Sequence, residues 1–133
     1  MNLEEGLRQA ILANAGIAAL VGSRVSFEFA PVSTPLTAPW IVGTRINGAE
    51  EGAMDGDQQL SHPTYQFTIG GPNKAQVDRV RWLLCKFNCT EFIYTEDGTP
   101  YTLTFHHSND FSEWEPDSRV SKALVDLIVW VNA

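Results

Sequence analysis

Apolar side chains recur first at helical spacing and then at strand spacing. Leu3, Leu7, Ala10, Ile11 and Asn14 recur three and four apart, the interval that gathers side chains on one face of a helix. Asn2 is placed to cap that helix, with Glu5 three positions on, the spacing of a capping box. Gly16 is expected to end it, and Ile17 to Val21 to form a short second turn closed by Gly22. From Arg24 to Ala30 the period drops to two: Val25, Phe27 and Phe29 point one way, Arg24, Ser26 and Glu28 the other. That alternation predicts a half-buried strand. Pro31, Pro35 and Pro39 punctuate an extended connector, and Trp40 to Ile46 reads as a second strand.

Tyr65, Phe67 and Ile69 restore alternation over Thr64 to Ile69, before Gly70-Gly71-Pro72 is expected to break the strand. Asn73 and Gln76 repeat the capping spacing, and Val77, Val80, Leu84 and Phe87, with Leu83 beside them, form the stripe of a second long helix. Phe92 to Tyr94 and Tyr101 to Phe105 predict two short strands around the turn dipeptide Asp97-Gly98. A loop rich in Asp, Glu and Pro is expected next, holding Phe111 and Trp114. Arg119 to Val131 is the longest predicted strand. Val125, Leu127, Val129 and Val131 alternate there with Leu124, Asp126, Ile128 and Trp130. Apolar residues on both faces predict a strand that is central in its sheet or covered by a partner. The order of elements predicts an α+β fold, a mainly antiparallel β-sheet with two longer helices packed on one face.

Asn47 to Leu60 differs in kind. It holds Gly48, Gly52 and Gly56 with Glu50, Glu51, Asp55 and Asp57, and almost nothing to bury. A mobile loop is the expectation. No repeat or linker divides the chain, so residues 1–133 are read as one domain, a length able to bury a core without staples.

Charge and composition narrow the function. The net charge is −7 and the basic residues form no run, which argues against a nucleic-acid binder, since that affinity comes mainly from Lys and Arg on phosphates. No stretch approaches the apolar length of a membrane helix. Glu4 and Glu5 stand where an export signal would be basic. Cys85 and Cys89, the two cysteines, are therefore expected as free thiols in a reducing cytosol.

Catalytic signatures are lacking: no P-loop, no dinucleotide fingerprint, no nucleophile elbow and no zincin motif. Gly70-Gly71 before a helix is read as a turn, because no Lys-Ser/Thr pair follows. Cys85, Cys89, His106 and His107 are the set nearest to zinc ligands. The adjacent histidines of a strand point to opposite faces, so a closed site would need the strand to break, and no metal is expected. His106, Ser108 and Asp110 are too compressed for a hydrolase triad, whose groups converge from separate elements. The carboxylates of the acidic loop lack the spacing of a calcium loop. Phe111 and Trp114 are expected either to cap the core or to anchor a partner.

A string of short signatures carries a resemblance. The opening helix leads to Ala19-Leu20-Val21-Gly22-Ser23-Arg24-Val25 and Phe29-Ala30-Pro31. Pro39-Trp40-Ile41-Val42, a variable loop, Tyr65-Gln66-Phe67-Thr68-Ile69 and a helix from Asn73 follow. This pattern resembles the tail-terminator (tail-completion) proteins of long-tailed bacteriophages and prophages, over nearly the whole chain. The resemblance implies a non-enzymatic structural protein without cofactor. It implies a homo-oligomeric ring, usually a hexamer, at the head-proximal end of the virion tail, assembled in the host cytoplasm. Such a ring stops growth of the tail tube, meeting the major tail tube protein on one side and the head-tail connector protein on the other. DNA would pass through it without specific binding, and an acidic lining suits that passage. Glu50, Glu51, Asp55 and Asp57 are expected to line the channel or dock on the tube. Phe111, Trp114 and Trp130 are the candidate subunit or partner contacts. The long acidic loop and the Trp114 region depart from the pattern and leave another neck or connector protein as the alternative. A small metal-dependent hydrolase using the His106-His107 neighbourhood is a remoter one.

Overall fold

Asparagines open all three helices of the computed structural model, which describes residues 2–27, 38–47, 60–115 and 120–132, without the side chains of 47, 60, 61 and 113–115. Asn2, Asn14 and Asn73 each accept a hydrogen bond on the side-chain oxygen from the backbone N–H three residues on, satisfying a donor that the first turn leaves orphaned. α1 runs Leu3–Leu12, α2 Ala15–Val21 and α3 Lys74–Cys85. Gly16 therefore lies inside α2 and does not end α1. The cap at Asn14 outweighs the helix-breaking tendency of the glycine.

The strands are β1 (Val25–Phe27), β2 (Trp40–Asn47), β3 (Leu60–Ser61), β4 (Thr64–Gly71), β5 (Thr90–Glu96), β6 (Thr99–Glu115) and β7 (Val120–Asn132). They form one sheet in the order β1-β2-β4-β7-β6-β5, with the short β3 also pairing with β7. Every pairing is antiparallel except β1 with β2. The last strand is central, the first of the two alternatives that its apolar faces left open.

Several strands outrun expectation, β5 by two residues at each end. Gly70 and Gly71 stay in β4, paired with Lys122 and Ser121, and the break falls at Pro72. β6 continues to Glu115, so Phe111 and Trp114 lie in a strand and not in a loop. A polar sequence with weak strand propensity is held there by the ladder that β7 supplies.

All three helices pack on one face. Leu7, Ile11, Ile17, Val21, Val77, Val80 and Leu84 meet Ile41, Phe67, Ile69, Leu103, Phe105, Val125, Leu127 and Val129 in one buried cluster. Phe87, just past α3, sets its ring edge-on to Phe105 at 5.3 Å. The alternation of β7 is unbroken: Ser121, Ala123, Val125, Leu127 and Val129 are buried beneath the helices, while Leu124, Ile128 and Trp130 look out of the other face, half-buried. Val120, Lys122 and Asp126 share that second face.

The junction from α2 to β1 is tied by one side chain. Gly22 closes α2 at φ +60°, in the region open to glycine at little cost. The Arg24 guanidinium then donates from Nε to the Pro39 carbonyl at 2.9 Å and from Nη2 to the Leu20 carbonyl at 3.0 Å. The residues Leu20 to Val25, part of the pattern that carries the resemblance, thus form a clasp between the end of a helix and the edge of the sheet.

Candidate functional site

The described residues gather one cluster of chemistry-bearing side chains, where α3 crosses β6. Arg81 and Cys85 stand four apart on α3 and so share a helix face. On β6 the register with β7 passes from His107↔Leu127 to Asn109↔Asp126. Ser108 is the extra residue of a β-bulge, and its Oγ donates to the Asp126 carbonyl at 3.3 Å. A bulge reverses the sidedness of everything beyond it. His107 and Asp110, which an unbroken strand would send to opposite faces, therefore both face α3.

Four groups meet there. Cys85 Sγ lies 3.6 Å from His107 Nε2. The same Nε2 lies 2.9 Å from Asp110 Oδ1, and Arg81 Nη1 donates to Asp110 Oδ2 at 2.6 Å. Asp78 borders the group, 3.9 Å from Arg81 Nε and 2.6 Å from Lys74 Nζ. The backbone N–H of His107 donates to Asn88 Oδ1 at 2.8 Å, which pins the strand to the end of α3.

Burial pushes the Cys85 thiol up, the Asp110 carboxylate adds to that rise, and the Arg81 guanidinium opposes both. A nucleophilic cysteine needs the opposite, a thiol pulled down by a cationic neighbour. In a Cys-His-Asp relay, moreover, the acid holds one ring nitrogen while the other serves the thiol. Here both neighbours converge on Nε2. The arrangement is a point of convergence and not a relay.

No family model and no curated protein matches the chain. Twelve chains of solved structures do. One of them, which carries no descriptive name, is 15% identical over 98% of this chain and 91% of its own, with a TM-score of 0.63. The likeness is one of fold alone.

The residues singled out in the sequence are dispersed. Cys89 is exposed, at φ +61° in the turn after α3, and His106 is exposed on the face away from the helices, opposite Ile128. Neither joins Cys85 and His107. His106, Ser108 and Asp110 do not converge either, since His106 and Asp110 stand on opposite faces. Phe111 pairs with Leu124 on the helix-free face and is 46% exposed. Trp130 lies on that face too, stacked on His62 with ring centroids 4.5 Å apart. Trp114 pairs with Ser121. Glu50, Glu51, Asp55 and Asp57 lie outside the described residues.

Among the described residues no helix covers this second face. Its apolar members run across four strands: Val42 on β2, Leu124, Ile128 and Trp130 on β7, Phe111 on β6 and Ile93 on β5, the last 64% exposed. Sequence reasoning missed Arg81, and it weighed Asp110 only beside His106 and Ser108, not with Cys85 and His107. The spacing of Arg81 and Cys85 was available as a signal, but nothing in the letters around Ser108 announces the bulge.

Proposed function

We propose that this chain is the subunit of a homo-oligomeric ring of the tail-terminator kind, which ends the tail tube of a long-tailed phage and presents a surface to the head connector. The helix-free face of the sheet carries the proposal. A sheet with helices on one side and Ile93, Phe111, Leu124, Ile128 and Trp130 on the other offers an apolar surface of the kind that marks protein contacts. The resemblance of Leu20 to Val25 and of the strands that follow supports the same reading.

A ring needs a head-to-tail interface, because a two-fold contact closes at the dimer. The helix-free face and the edge strand β5 are two different surfaces, as such an interface requires. Glu50, Glu51, Asp55 and Asp57 would line the channel, where carboxylates keep DNA phosphates from sticking, or fold against the tube on docking. The role calls for no cofactor and no catalysis.

Native mass spectrometry of the full chain, alone and with the tail tube protein, tests this. The expected species is a closed ring, six copies of the 14.7 kDa chain, weakened by Phe111→Asp. A chain that stays monomeric at every concentration, with and without the tube protein, or that stops at a dimer, overturns the proposal.

A further inference from the structure

The cluster between α3 and β6 is built like a ligand set. Cys85 Sγ, His107 Nε2 and one Asp110 carboxylate oxygen all lie within 4.8 Å of one another. They come from two elements, and the bulge at Ser108 is what brings the third to the other two. With Zn–S near 2.3 Å and Zn–N near 2.0–2.1 Å, a tetrahedral zinc separates sulfur from nitrogen by about 3.6 Å. Cys85 Sγ and His107 Nε2 are 3.6 Å apart.

Hydrogen bonding leaves this trio badly served. Nε2 carries either a proton or a lone pair. If it donates to Asp110 Oδ1 at 2.9 Å, it has no lone pair left for the S–H of Cys85. If it accepts from the thiol, it faces the carboxylate lone pair to lone pair. A cation at the centre satisfies all three at once.

We infer that Cys85, His107 and Asp110 bind a zinc-class divalent cation through Sγ, Nε2 and one carboxylate oxygen, clasping the end of α3 to β6 beyond its bulge. Binding replaces the thiol proton: the Cys85 S–H bond is lost, a metal–sulfur bond forms and one proton leaves to solvent, with no change of oxidation state. A thiolate and an imidazole select zinc, cobalt and their kind over magnesium and calcium, which take oxygen ligands. Arg81 holds Oδ2 of Asp110 at 2.6 Å and so aims Oδ1 at the site, the usual task of an outer partner. To accept the ion, Oδ1 and Nε2 part by about half an ångström, to the roughly 3.4 Å of a tetrahedral edge. The side chains of His107 and Asp110 are 27% and 25% exposed, so solvent reaches the fourth position. The inference does not depend on the ring reading, since a structural metal serves a ring subunit or any other role of this fold.

Cobalt titration of the full chain, stripped with a chelator, tests it. The expected result is one equivalent bound, a thiolate-to-cobalt charge-transfer band, displacement by zinc, and a melting temperature that rises with metal. Cys85→Ser abolishes the band, while Cys89→Ser keeps it. His107→Gln and Asp110→Asn each weaken binding at least about tenfold, the scale on which even outer-sphere partners act. Circular dichroism of each metal-free variant separates a lost ligand from a lost fold. No charge-transfer band at stoichiometric cobalt, a band surviving Cys85→Ser, a band lost in folded Cys89→Ser, or unchanged affinity in folded His107→Gln or Asp110→Asn overturns the inference.

Discussion

Removing the Arg24 guanidinium tests the clasp between α2 and the sheet. Two of its nitrogens donate to the carbonyls of Pro39 and Leu20 at 2.9 and 3.0 Å, and the site is partly buried. A hydrogen bond with one charged partner contributes about 1.5–3 kcal/mol net. Water reaches part of this site, so the lower end applies, and Arg24→Ala is expected to cost about 2–4 kcal/mol over both bonds. That is a large share of the roughly 5–15 kcal/mol that holds a domain folded. Arg24→Lys is expected to fall near half that cost, because an ammonium serves one carbonyl where the guanidinium fork spans two. The measurement is urea unfolding at fixed protein concentration, followed by far-ultraviolet circular dichroism and by tryptophan fluorescence, Trp40 lying next to the clasp. With a slope near 2 kcal/mol per molar, the midpoint of Arg24→Ala moves down by about 1–2 M. Lys74→Ala, which removes an exposed pair with Asp78, is the control and stays within about 0.5 kcal/mol. An Arg24→Ala midpoint equal to that of Lys74→Ala would refute the reasoning, and so would an Arg24→Lys variant less stable than Arg24→Ala.

Two further outcomes follow from the structure. A Cβ at Gly43 would stand 2.5 Å from Phe27 Cε1 and 3.0 Å from Phe67 Cε1, so Gly43→Ala is expected to cost about 1–3 kcal/mol by overpacking. Calorimetry should show that Phe27→Leu costs less in the Gly43→Ala background than in the parent; additive losses would sink the clash. Glu96 Oε1 accepts from the Asn2 N–H at 2.8 Å and from the Tyr94 hydroxyl at 3.1 Å, and the Asn2 N–H above all holds its carboxyl below the usual range. A depressed carboxyl contributes stability that is complete above its unfolded pKa and is lost as pH falls through the folded value. Urea unfolding of Glu96→Gln against the parent should therefore show a gap at neutral pH that narrows below about pH 4, and a gap that widens in acid would reverse the assignment.

Local chemistry made much of the fold readable. Asn2 and Asn73 announce helices because an asparagine side chain can take the orphaned N–H, and Tyr65, Phe67 and Ile69 announce a strand because period two fits nothing else. β7 could be narrowed to a central or a partner-covered strand because Leu124, Ile128 and Trp130 are apolar on the face that an exposed edge strand would keep polar. Tertiary pairing decided the remainder. His106 to Glu115 has the composition of a loop and is a strand because β7 lies beside it. Asn14 had to be weighed against Gly16, and the side-chain bond it makes was not visible in the letters. The histidines do point to opposite faces, as two neighbours in a strand must. Asp110 joins His107 only through an irregularity of one residue, which no periodicity reports.

The position of β7 also shapes how the molecule comes together. Among the described residues the sheet has two parts, β1-β2-β4 and β6-β5, that touch only through this strand. β6 and β7 are neighbours in sequence and pair from Glu115↔Val120 onward, so their contacts form over short chain separations. Joining β7 to β4 aligns Thr64 with Ile128 and Gly71 with Ser121, partners with α3, β5 and β6 between them. The entropy of closing that long loop is lost before the contacts that reward it form. Pairing β4 with β7 is thus the long-range step of assembly, and until it is made, the edges of β4 and β7 are each open to the wrong strand.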